Sequence, residues 1–586
     1  MALGDAIANP YLTRPADIFG GSRVNSKGWD HTEAVTIDAL DKARGKFHKH
    51  KWTAKPIIAA AVSATEAKKV HNPANHSDVV GEVIEANAAD VETALAASAE
   101  GCKAWSAVPA SERAAVLRKV AELYEANAEE FFALASREAG KIMLDCIGEV
   151  REAVDFARFY AVEAERLDPK AKKKARGTIT CISPWNFPLA IFSGQILAAL
   201  AAGNAVIAKP AGQTPLIAAR AIELMHEAGV PSAALQLLPG DGATVGAPLT
   251  SDPRIAGVCF TGSTATAQTI NRAMAEAMSP EAPLIAETGG LNAMVVDSTA
   301  LPEQAVRDVV ASSFQSAGQR CSALRMLYLQ EDIYDKVIHM LKGAMDELAL
   351  GDPWDWSTDV GPVIDGAAKA KIDGHCSKMR AAGKVLKQLN TPEGGLFCAP
   401  TLIELKGIEE LEEEIFGPVL HVAKFAAKDV HKVIDAINAK GFGLTFGLHT
   451  RMDNRVQEIV DRIKVGNMYV NRNQIGAVVG SQPFGGEGLS GTGPKAGGPH
   501  YVARFFDQSP RFVPTPEGDT FSGVELQNAV HALNVKKNSS GKTGQPASSA
   551  LQHSRASAIC RFSSTSSSRT ILSRANCPDR PANPTA

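Results

Sequence analysis

Three residues in the sequence are of types that carry out covalent chemistry on carbonyl groups: a cysteine, a glutamate and an asparagine. Cys321 lies among small residues that would let a substrate approach its thiol, and Arg320 would favour the thiolate if its side chain points that way. Glu287 follows an apolar run, where burial would raise its pKa and suit it to act as a general base. Asn186 lies between two prolines, in a rigid turn that suits a preorganised donor to a developing oxyanion.

Each of these residues also has a structural interpretation. Most cysteines are buried and inert, a glutamate at a strand end can be structural, and an asparagine between prolines can simply shape a loop. No histidine occurs in the motifs around them, which argues against a Cys-His or Ser-His-Asp hydrolase.

A second group of motifs has the residue types that hold a dinucleotide. Lys209 follows an apolar run and could reach ribose hydroxyls, and Glu414 could bind a second ribose. Gly262 and Ser263 open a helix whose backbone N–H groups could hold a pyrophosphate. The glycine-rich stretch 238–246 has the spacing GxGxxxG rather than GxGxxG. A solvated lysine, a capped helix start and a solvated acidic helix end are the corresponding structural alternatives.

The elements that position these residues alternate between strands and helices, which predicts an α/β fold with parallel sheets. Ligands bind such sheets at the carboxyl ends of the strands, where several of the motifs fall. In the first block we predict strands at 178–182, 205–209, 235–238, 255–260 and 284–287, with helices at 187–202, 216–227 and 264–278. In the second we predict strands at 293–296, 324–329, 419–425, 444–449 and 467–471, with helices at 303–314, 333–349, 427–438 and 454–463.

Composition excludes several classes of protein. The 586 residues include 61 basic and 64 acidic side chains, a net charge of −3, which gives no global reason to bind nucleic acid or an anionic membrane. The apolar window 189–208 is broken by a Gly-Asn turn, so it predicts a helix and a buried strand rather than a membrane span. Residues 538–586 carry six basic residues and one acidic residue, so the first 537 carry −8. That serine-rich segment predicts disorder.

The nine cysteines are scattered and none forms a CxxC pair. This usage is typical of a reducing compartment and has no zinc-site spacing, so we predict a cytoplasmic protein without a metal site.

Taken in order, six motifs resemble the signatures of the aldehyde dehydrogenase superfamily over residues 45–507. They are Pro184-Trp185-Asn186-Phe187, Lys209-Pro210, Phe260-Thr261-Gly262-Ser263, Glu287-Thr288-Gly289-Gly290, Gly318-Gln319-Arg320-Cys321 and Glu414-Ile415-Phe416-Gly417-Pro418. Each motif is weak alone, whereas six in order are specific.

Further motifs are similar to one subfamily, the L-glutamate γ-semialdehyde (Δ1-pyrroline-5-carboxylate) dehydrogenases. The stretches 476–486 and 491–499 resemble their C-terminal loops. The segment 15–20, with Arg23 and Asn25-Ser26, resembles the segment before this domain in the bifunctional proline utilisation A proteins. Neither a proline dehydrogenase barrel nor a DNA-binding module precedes it here, so we expect no FAD and no nucleic acid.

The resemblance implies a role for each matching residue. Cys321 would attack the aldehyde, Asn186 would hold the oxyanion and Glu287 would activate water. The cofactor NAD would be bound by Trp185, Lys209, Gly240, Gly262, Ser263, Glu414 and Phe416. A small-molecule substrate, an amino acid bearing an aldehyde, would be bound by Glu149, Phe187, Ser322, Gly476, Ala477 and Phe484, with Glu149 pairing with its ammonium. Gly212 replaces an acidic residue of NAD-preferring relatives, which makes use of NADP more plausible.

The resemblance also implies an architecture of a Rossmann-type cofactor domain, an α/β catalytic domain and a small β oligomerisation element. We expect an arm at 1–45, a cofactor domain at 46–288 with 166–182 in the oligomerisation element, and a catalytic domain at 289–468. A substrate-anchor and oligomerisation segment at 469–507 and a disordered tail at 508–586 would follow. We expect a homodimer or larger homo-oligomer, and a separate proline dehydrogenase as a partner. The alternatives are an aldehyde dehydrogenase for another aldehyde, or a non-catalytic scaffold on this fold.

Overall fold

The computed structural model describes residues 12–169 and 173–507. The predicted tail, 508–586, lies outside the described residues, as do the first eleven residues of the predicted arm. The helices are α1 Ala34–Gly45, α2 Ala88–Ser106, α3 Ala110–Ala126, α4 Ala128–Ala139, α5 Met143–Leu167, α6 Ala190–Ala201, α7 Pro215–Glu227, α8 Ala247–Ser251, α9 Thr264–Ala277, α10 Pro302–Phe314, α11 Tyr334–Asp346, α12 Gly366–Ala381, α13 Val430–Ala439 and α14 Asp453–Arg462.

The strands form four sheets and confirm the predicted α/β class. They are β1 Trp52–Ala54, β2 Ala67–Asn72, β3 Asn75–Ile84, β4 Thr178–Ile182, β5 Ala205–Lys209, β6 Leu235–Leu237, β7 Ile255–Gly262, β8 Leu284–Thr288, β9 Ala293–Val296, β10 Met326–Gln330, β11 Val385–Gln388, β12 Thr401–Glu404, β13 Val419–Phe425, β14 Phe442–Gly443, β15 Thr445–His449, β16 Asn467–Val470 and β17 Glu487–Gly488.

The first large sheet is parallel throughout, with strand order β6-β5-β4-β7-β8. Its first strand in sequence lies at the centre, and the chain winds outward from it in both directions. This is the doubly wound arrangement, whose ligand crevice opens where the strand order reverses, between β4 and β7. The helix α6 that follows β4 is buried on every side except at Ile191, in keeping with its nearly continuous apolar sequence.

The position of β4 corrects one prediction. We expected 178–182 to contribute to an oligomerisation element, but its backbone pairs with β5 on one side and with β7 on the other. Both edges of the strand are therefore occupied within the chain, and its side chains are buried apart from the half-buried Ile182.

The second large sheet has the order β11-β12-β13-β10-β9-β15-β16 and is parallel except for the β11–β12 pair. Its strands and flanking helices enclose a separate hydrophobic core. A four-residue link, 289–292, joins the two sheets directly, from the end of β8 to the start of β9.

Local sequence explains the helix ends. Asn87 begins α2 by accepting hydrogen bonds from the backbone N–H groups of Ala89 and Asp90, and Asp90 accepts one in return from the Asn87 backbone. The helix predicted at 187–202 begins later, at Ala190, because Pro188 extends the preceding turn.

The arm is more structured than its turn-rich sequence predicts. It contains the helix α1, in which Leu40 and Arg44 are buried. The guanidinium of Arg44 lies 4.5 Å from the ring centre of Trp354 and donates to the Trp354 carbonyl at 2.7 Å. These contacts join the arm to the loop before α12.

Candidate active site

The loop that carries Cys321 follows α10 through an unusual turn. Ser316, Ala317 and Gly318 have φ angles of 56°, 52° and 66°, in the left-handed region that non-glycine residues rarely adopt. Two such residues cost about 1–3 kcal/mol each, so surrounding contacts must hold them in place. One such contact comes from Asn292, whose side-chain amide donates to the carbonyl of Cys321 at 2.6 Å.

A second support comes from Asp145 on α5, a buried residue that the sequence analysis missed. Its carboxylate accepts hydrogen bonds from the Gln315 amide at 2.8 Å and from the Ser316 hydroxyl at 2.5 Å, and it forms an ion pair with Arg320. The carboxylate thus binds the loop on both sides of its left-handed turn.

This ion pair bears on the expected effect of Arg320 on the thiol. The guanidinium points to Asp145, and burial, reinforced by Glu414 and Glu287, raises the pKa of Cys321 to about 12. Arg320 lowers that pKa only slightly. The condition for a thiolate, an Arg320 side chain directed at the thiol, is therefore not met, and burial disfavours the charged form of Cys321.

Glu287 lies near the end of β8, as its sequence position predicts. Burial raises the pKa of its carboxyl to about 8, and one oxygen accepts a hydrogen bond from the Gly486 backbone at 2.9 Å. The other oxygen is buried and has no hydrogen-bond donor in the part of the chain that the structure describes. A carboxyl group with a pKa near neutrality and a free oxygen is suited to general-base chemistry.

Asn186 lies beside the loop that carries Cys321, which we call the nucleophile loop. Its side-chain nitrogen donates to the carbonyl of Gln319 at 3.0 Å, and its backbone carbonyl accepts from the ammonium of Lys141 at 2.7 Å. The bond to Gln319 uses one of the two amide hydrogens and holds the side chain against the backbone two residues before Cys321, so the second hydrogen is available to another acceptor.

One cavity of about 290 Å³ brings eight of the sixteen predicted site residues together. Cys321 and Glu287 both line it, so the candidate nucleophile and base face one space. All six predicted substrate residues line it as well: Glu149, Phe187, Ser322, Gly476, Ala477 and Phe484. Asn186 and Trp185 instead line a small neighbouring pocket.

The segment 476–482, which we call the Gly476 loop, forms one wall of this cavity. Tyr469, at the end of the second sheet, donates its hydroxyl hydrogen to the Gly476 carbonyl at 2.5 Å. Val478 and Gln482 exchange backbone hydrogen bonds, and the Gly480 N–H donates to the Gly497 carbonyl at 2.8 Å. The loop is therefore held in one shape from within and from its base.

Glu149 has partners inside the protein that the sequence did not predict. One of its oxygens lies 3.1 Å from the ammonium of Lys141, and the other accepts from the backbone of Ala190 at 2.8 Å, where α6 begins. Burial raises the pKa of this carboxyl. Glu152, one turn along α5, lines the same cavity, and burial raises its pKa to about 8.

Three of the predicted cofactor residues, Lys209, Ser263 and Gly240, lie where strands of the first sheet end or where the next helix begins. Lys209 ends β5 and is 7% exposed, and burial lowers the pKa of its ammonium group, whose hydrogen-bond acceptor is the Pro210 carbonyl at 3.1 Å. Ser263 caps the exposed start of α9 by accepting from the Thr266 N–H. Gly240, with φ of +157°, follows β6 and turns towards α8.

Two other predicted cofactor residues lie on the side of the second sheet. Phe416 packs edge-on against Trp185 with ring centres 5.7 Å apart. The carboxylate of Glu414 is bound by the guanidinium of Arg325 at 2.9 Å, a partner missed from the sequence. Arg325 also donates to the Gly318 carbonyl at 2.7 Å, so it links Glu414 to the nucleophile loop.

Within 12–169 and 173–507, no three histidine, cysteine or acidic side chains are grouped so as to hold a metal ion. None of the helices in those ranges is both long and apolar enough to cross a membrane.

Comparison with known proteins was made by sequence and by structure. The model of the aldehyde dehydrogenase family matches residues 60–509. The bifunctional protein PutA of Klebsiella aerogenes is 49% identical over 537 residues, 90% of this chain and 41% of that protein. The 1-pyrroline-5-carboxylate dehydrogenase of Geobacillus sp. is 35% identical over 493 residues, 81% of this chain and 95% of that enzyme.

Solved structures give the same pattern. Proline utilisation A of Bradyrhizobium japonicum superposes with a TM-score of 0.77 at 46% identity, over 85% of this chain and 49% of that one. The Thermus 1-pyrroline-5-carboxylate dehydrogenase with bound NAD superposes with a TM-score of 0.77 at 31% identity, over 85% and 98%. The chain thus spans less than half the length of the bifunctional relatives and nearly the whole length of the shorter ones.

Proposed function

The chain belongs to the aldehyde dehydrogenase family, and on this premise we propose that it oxidises L-glutamate γ-semialdehyde to L-glutamate with NAD. The observation that carries the proposal is the single cavity in which Cys321 and Glu287 face the Gly476 loop. Thiol and carboxylate are the two groups that this oxidation needs, and the loop offers backbone amides for a carboxylate. The relatives named 1-pyrroline-5-carboxylate dehydrogenase support the substrate.

The reaction begins with attack of the Cys321 sulfur on the aldehyde carbon. Because burial keeps this group as a thiol, its proton must leave as the carbon–sulfur bond forms, and Glu287 is the base that shares the cavity. The product is a thiohemiacetal whose oxyanion accepts from the Asn186 amide and the Cys321 backbone N–H. Removal of one oxyanion donor typically lowers the rate by about 10²–10³.

The second half of the reaction is hydrolysis. Once the carbon has lost its hydride, it is held on Cys321 as a thioester. Glu287 first releases the thiol proton to solvent and then takes a proton from water as the water oxygen bonds to the thioester carbon. When the carbon–sulfur bond breaks, Glu287 returns that proton to the sulfur, which releases the acid and the thiol. Loss of a positioned general base typically lowers the rate by about 10²–10⁴.

NAD fits the residues around the crevice. The Lys209 ammonium is buried at a strand end, and the start of α9 exposes backbone N–H groups for a pyrophosphate. Phe416 and Trp185 would contact the nicotinamide half of the cofactor. Gly240 would contribute the loop after β6. Glu414 would bind the second ribose while keeping its bond to Arg325. When bound, the cofactor accepts the hydride.

The substrate would lie along the cavity. Its carboxylate would accept from the Gly476 and Ala477 amides and the Ser322 hydroxyl, with Phe187 and Phe484 beside the aliphatic chain. Its ammonium would lie by α5. There Glu149 already shares its charge with Lys141, and Glu152 offers a second carboxyl group.

The test is NADH formation by the purified chain with glutamate semialdehyde and with propanal, using NAD and NADP side by side. Cys321→Ala should abolish turnover. Cys102 is half-buried and does not line the cavity, so the control Cys102→Ala should retain turnover. Equal activity of Cys321→Ala and wild type would overturn the mechanism. A kcat/KM that is no higher for glutamate semialdehyde than for propanal would overturn the proposed substrate assignment.

Three further predictions concern the setting of the enzyme. They are a cytoplasmic location, a homodimer or larger homo-oligomer, and a separate proline dehydrogenase as the source of substrate. The bifunctional names of the longer relatives support the last of these. Light scattering of the purified chain measures its oligomeric state.

A further inference from the structure

The arm reaches the wall of the substrate cavity through one side chain. Arg23 donates one N–H to the Asp155 carboxylate and another to the Val479 carbonyl, each at 2.7 Å. Its side chain is only 5% exposed. Asp155 and Val479 both line the cavity that holds Cys321, one on α5 and the other in the Gly476 loop. Arg23 therefore connects two walls of that cavity from outside.

Neighbouring arm residues hold this guanidinium in place. Its central carbon lies 3.6 Å from the ring centre of Phe19, a stacked arrangement that suits a planar cation. The hydroxyl and the backbone N–H of Ser26 donate to the two oxygens of Asp155 at 2.8 and 3.1 Å. The same segment of arm thus orients both the cation and its acidic partner.

The loop side of the contact lies close to the proposed substrate carboxylate. Val479 follows Ala477 by two residues, and Gly480 next to it has φ of +86°. The bond from Arg23 satisfies the Val479 carbonyl. Without it, the hydrogen bonds within the loop and its apolar packing against α5 remain, but the charged link from the loop to Asp155 is lost.

We propose that Arg23 is a positioning residue for the Gly476 loop and thereby determines affinity for the carboxylate of the substrate. The proposal rests on the proposed function, because it assigns the loop to carboxylate binding. Arg23 touches none of the reacting atoms, so its removal should weaken recognition of the carboxylate-bearing substrate and leave the chemical step nearly unchanged. A hydrogen bond from a charged donor is about twice as strong as one between neutral groups, so its loss should have a clear effect.

The kinetic test compares Arg23→Ala and Arg23→Lys with Arg118→Ala. Arg118 also pairs with α5, through Glu165 at 2.6 Å, but this pair does not line the cavity. Arg23→Ala should raise KM for glutamate semialdehyde about tenfold with kcat within about twofold. KM and kcat for propanal, which has no carboxylate, should stay within about twofold. Arg23→Lys, able to reach one acceptor at a time, should fall between wild type and alanine.

A second measurement does not depend on turnover. Hydrogen exchange of amides 476–482 should be faster in Arg23→Ala than in wild type and unchanged in Arg118→Ala. Equal loss of affinity for both aldehydes, or wild-type exchange and KM in Arg23→Ala, would overturn the positioning role. If wild type itself fails to oxidise glutamate semialdehyde, the proposed function fails, whereas the exchange measurement still decides whether Arg23 holds the loop.

Discussion

Asp145 forms an ion pair with Arg320, the residue immediately before the proposed nucleophile Cys321, and so binds the loop that carries Cys321 to α5. The side chains of Asp145 and Arg320 are 1% and 13% exposed. Breaking a buried pair by removing one partner typically costs about 3–5 kcal/mol, because the other charge is left uncompensated. The loop also contains a strained turn, so its geometry depends on this contact more than on its own backbone preference.

Asp145→Asn should therefore lower both activity and stability. The amide keeps hydrogen-bonding capacity but not the charge, and displacement of a reacting group by about 1 Å can cost about 10² in rate. We expect kcat to fall about 10- to 100-fold and the unfolding temperature to drop. Steady-state kinetics and thermal unfolding measure these effects.

The control for this variant is Glu165→Gln, which removes the acid from the partly exposed pair with Arg118. Exposed pairs contribute about 0–1 kcal/mol, so this variant should resemble wild type. Full activity of Asp145→Asn would show that the loop holds its shape without the ion pair.

The pKa of Glu287 predicts how the rate depends on pH. Burial raises this pKa to about 8, and a general base acts only when deprotonated. The rate of the step it assists should therefore rise with pH up to about 8 and then level off. A pH–rate profile of wild type measures this, and Glu287→Gln should lose both the activity and the inflection. A profile that is flat from pH 6 to 9 would contradict the assignment.

The same shift has a consequence for stability. The pKa of Glu287 in the folded protein lies above its ordinary value of 4.5, so folding favours the protonated carboxyl. The stability that the protonated carboxyl contributes is therefore fully present below pH 4.5. It is lost as pH rises through about 8. The unfolding temperature of wild type should therefore fall relative to that of Glu287→Gln between pH 5 and pH 9. A constant difference over that range would mean that this carboxyl titrates normally.

Gly212 should influence the choice between NAD and NADP. A Cβ atom built at this position meets no atom within 4 Å, so a glutamate can be accommodated there. If the adenosine ribose lies at this site, the new carboxylate would repel a 2′-phosphate. Gly212→Glu should raise KM for NADP more than tenfold and change KM for NAD by less than threefold. Gly212→Gln, equal in size but neutral, is the matched control. Equal effects of both variants would point to bulk rather than charge.

Glu149 tests whether the acid on α5 is structural or binds substrate. Glu149→Gln leaves the buried Lys141 without its ion pair, so we expect a drop in unfolding temperature. A higher KM for glutamate semialdehyde with unaltered unfolding would instead assign Glu149 to the substrate ammonium. Glu152→Gln serves as the comparison one turn along the helix.

Much of the fold follows from local sequence patterns. The apolar run that ends at Lys209 and the one that ends near Glu287 are both strands of a parallel sheet. They could be predicted because β-branched runs and the alternation of strands with helices are local signals in the sequence. The helix α1 was missed because its sequence carries little apolar periodicity. Its buried residue Arg44 is held by Trp354, more than 300 residues away, a partner that no local pattern reveals.

The site divides in the same way. Cys321 and Glu287 could be proposed from the sequence because each lies in a recognisable motif, and both line the cavity. The residues that hold the site do not lie in such motifs: Asp145 meets its loop across 170 residues or more, and Arg325 meets Glu414 across 89. The direction of the Arg320 side chain could not be predicted for the same reason, since its neighbour in sequence is Cys321 but its partner in space is Asp145.

The four residues that join the two large sheets set a limit on how the enzyme can open. Glu287 lies just before this link, and Asn292, which holds the Cys321 carbonyl, ends it. A fully extended chain spans at most about 3.6 Å per residue, so the backbone between these two residues cannot stretch beyond about 18 Å. One sheet can therefore rotate against the other without separating Glu287 from Asn292, which supports the loop of Cys321.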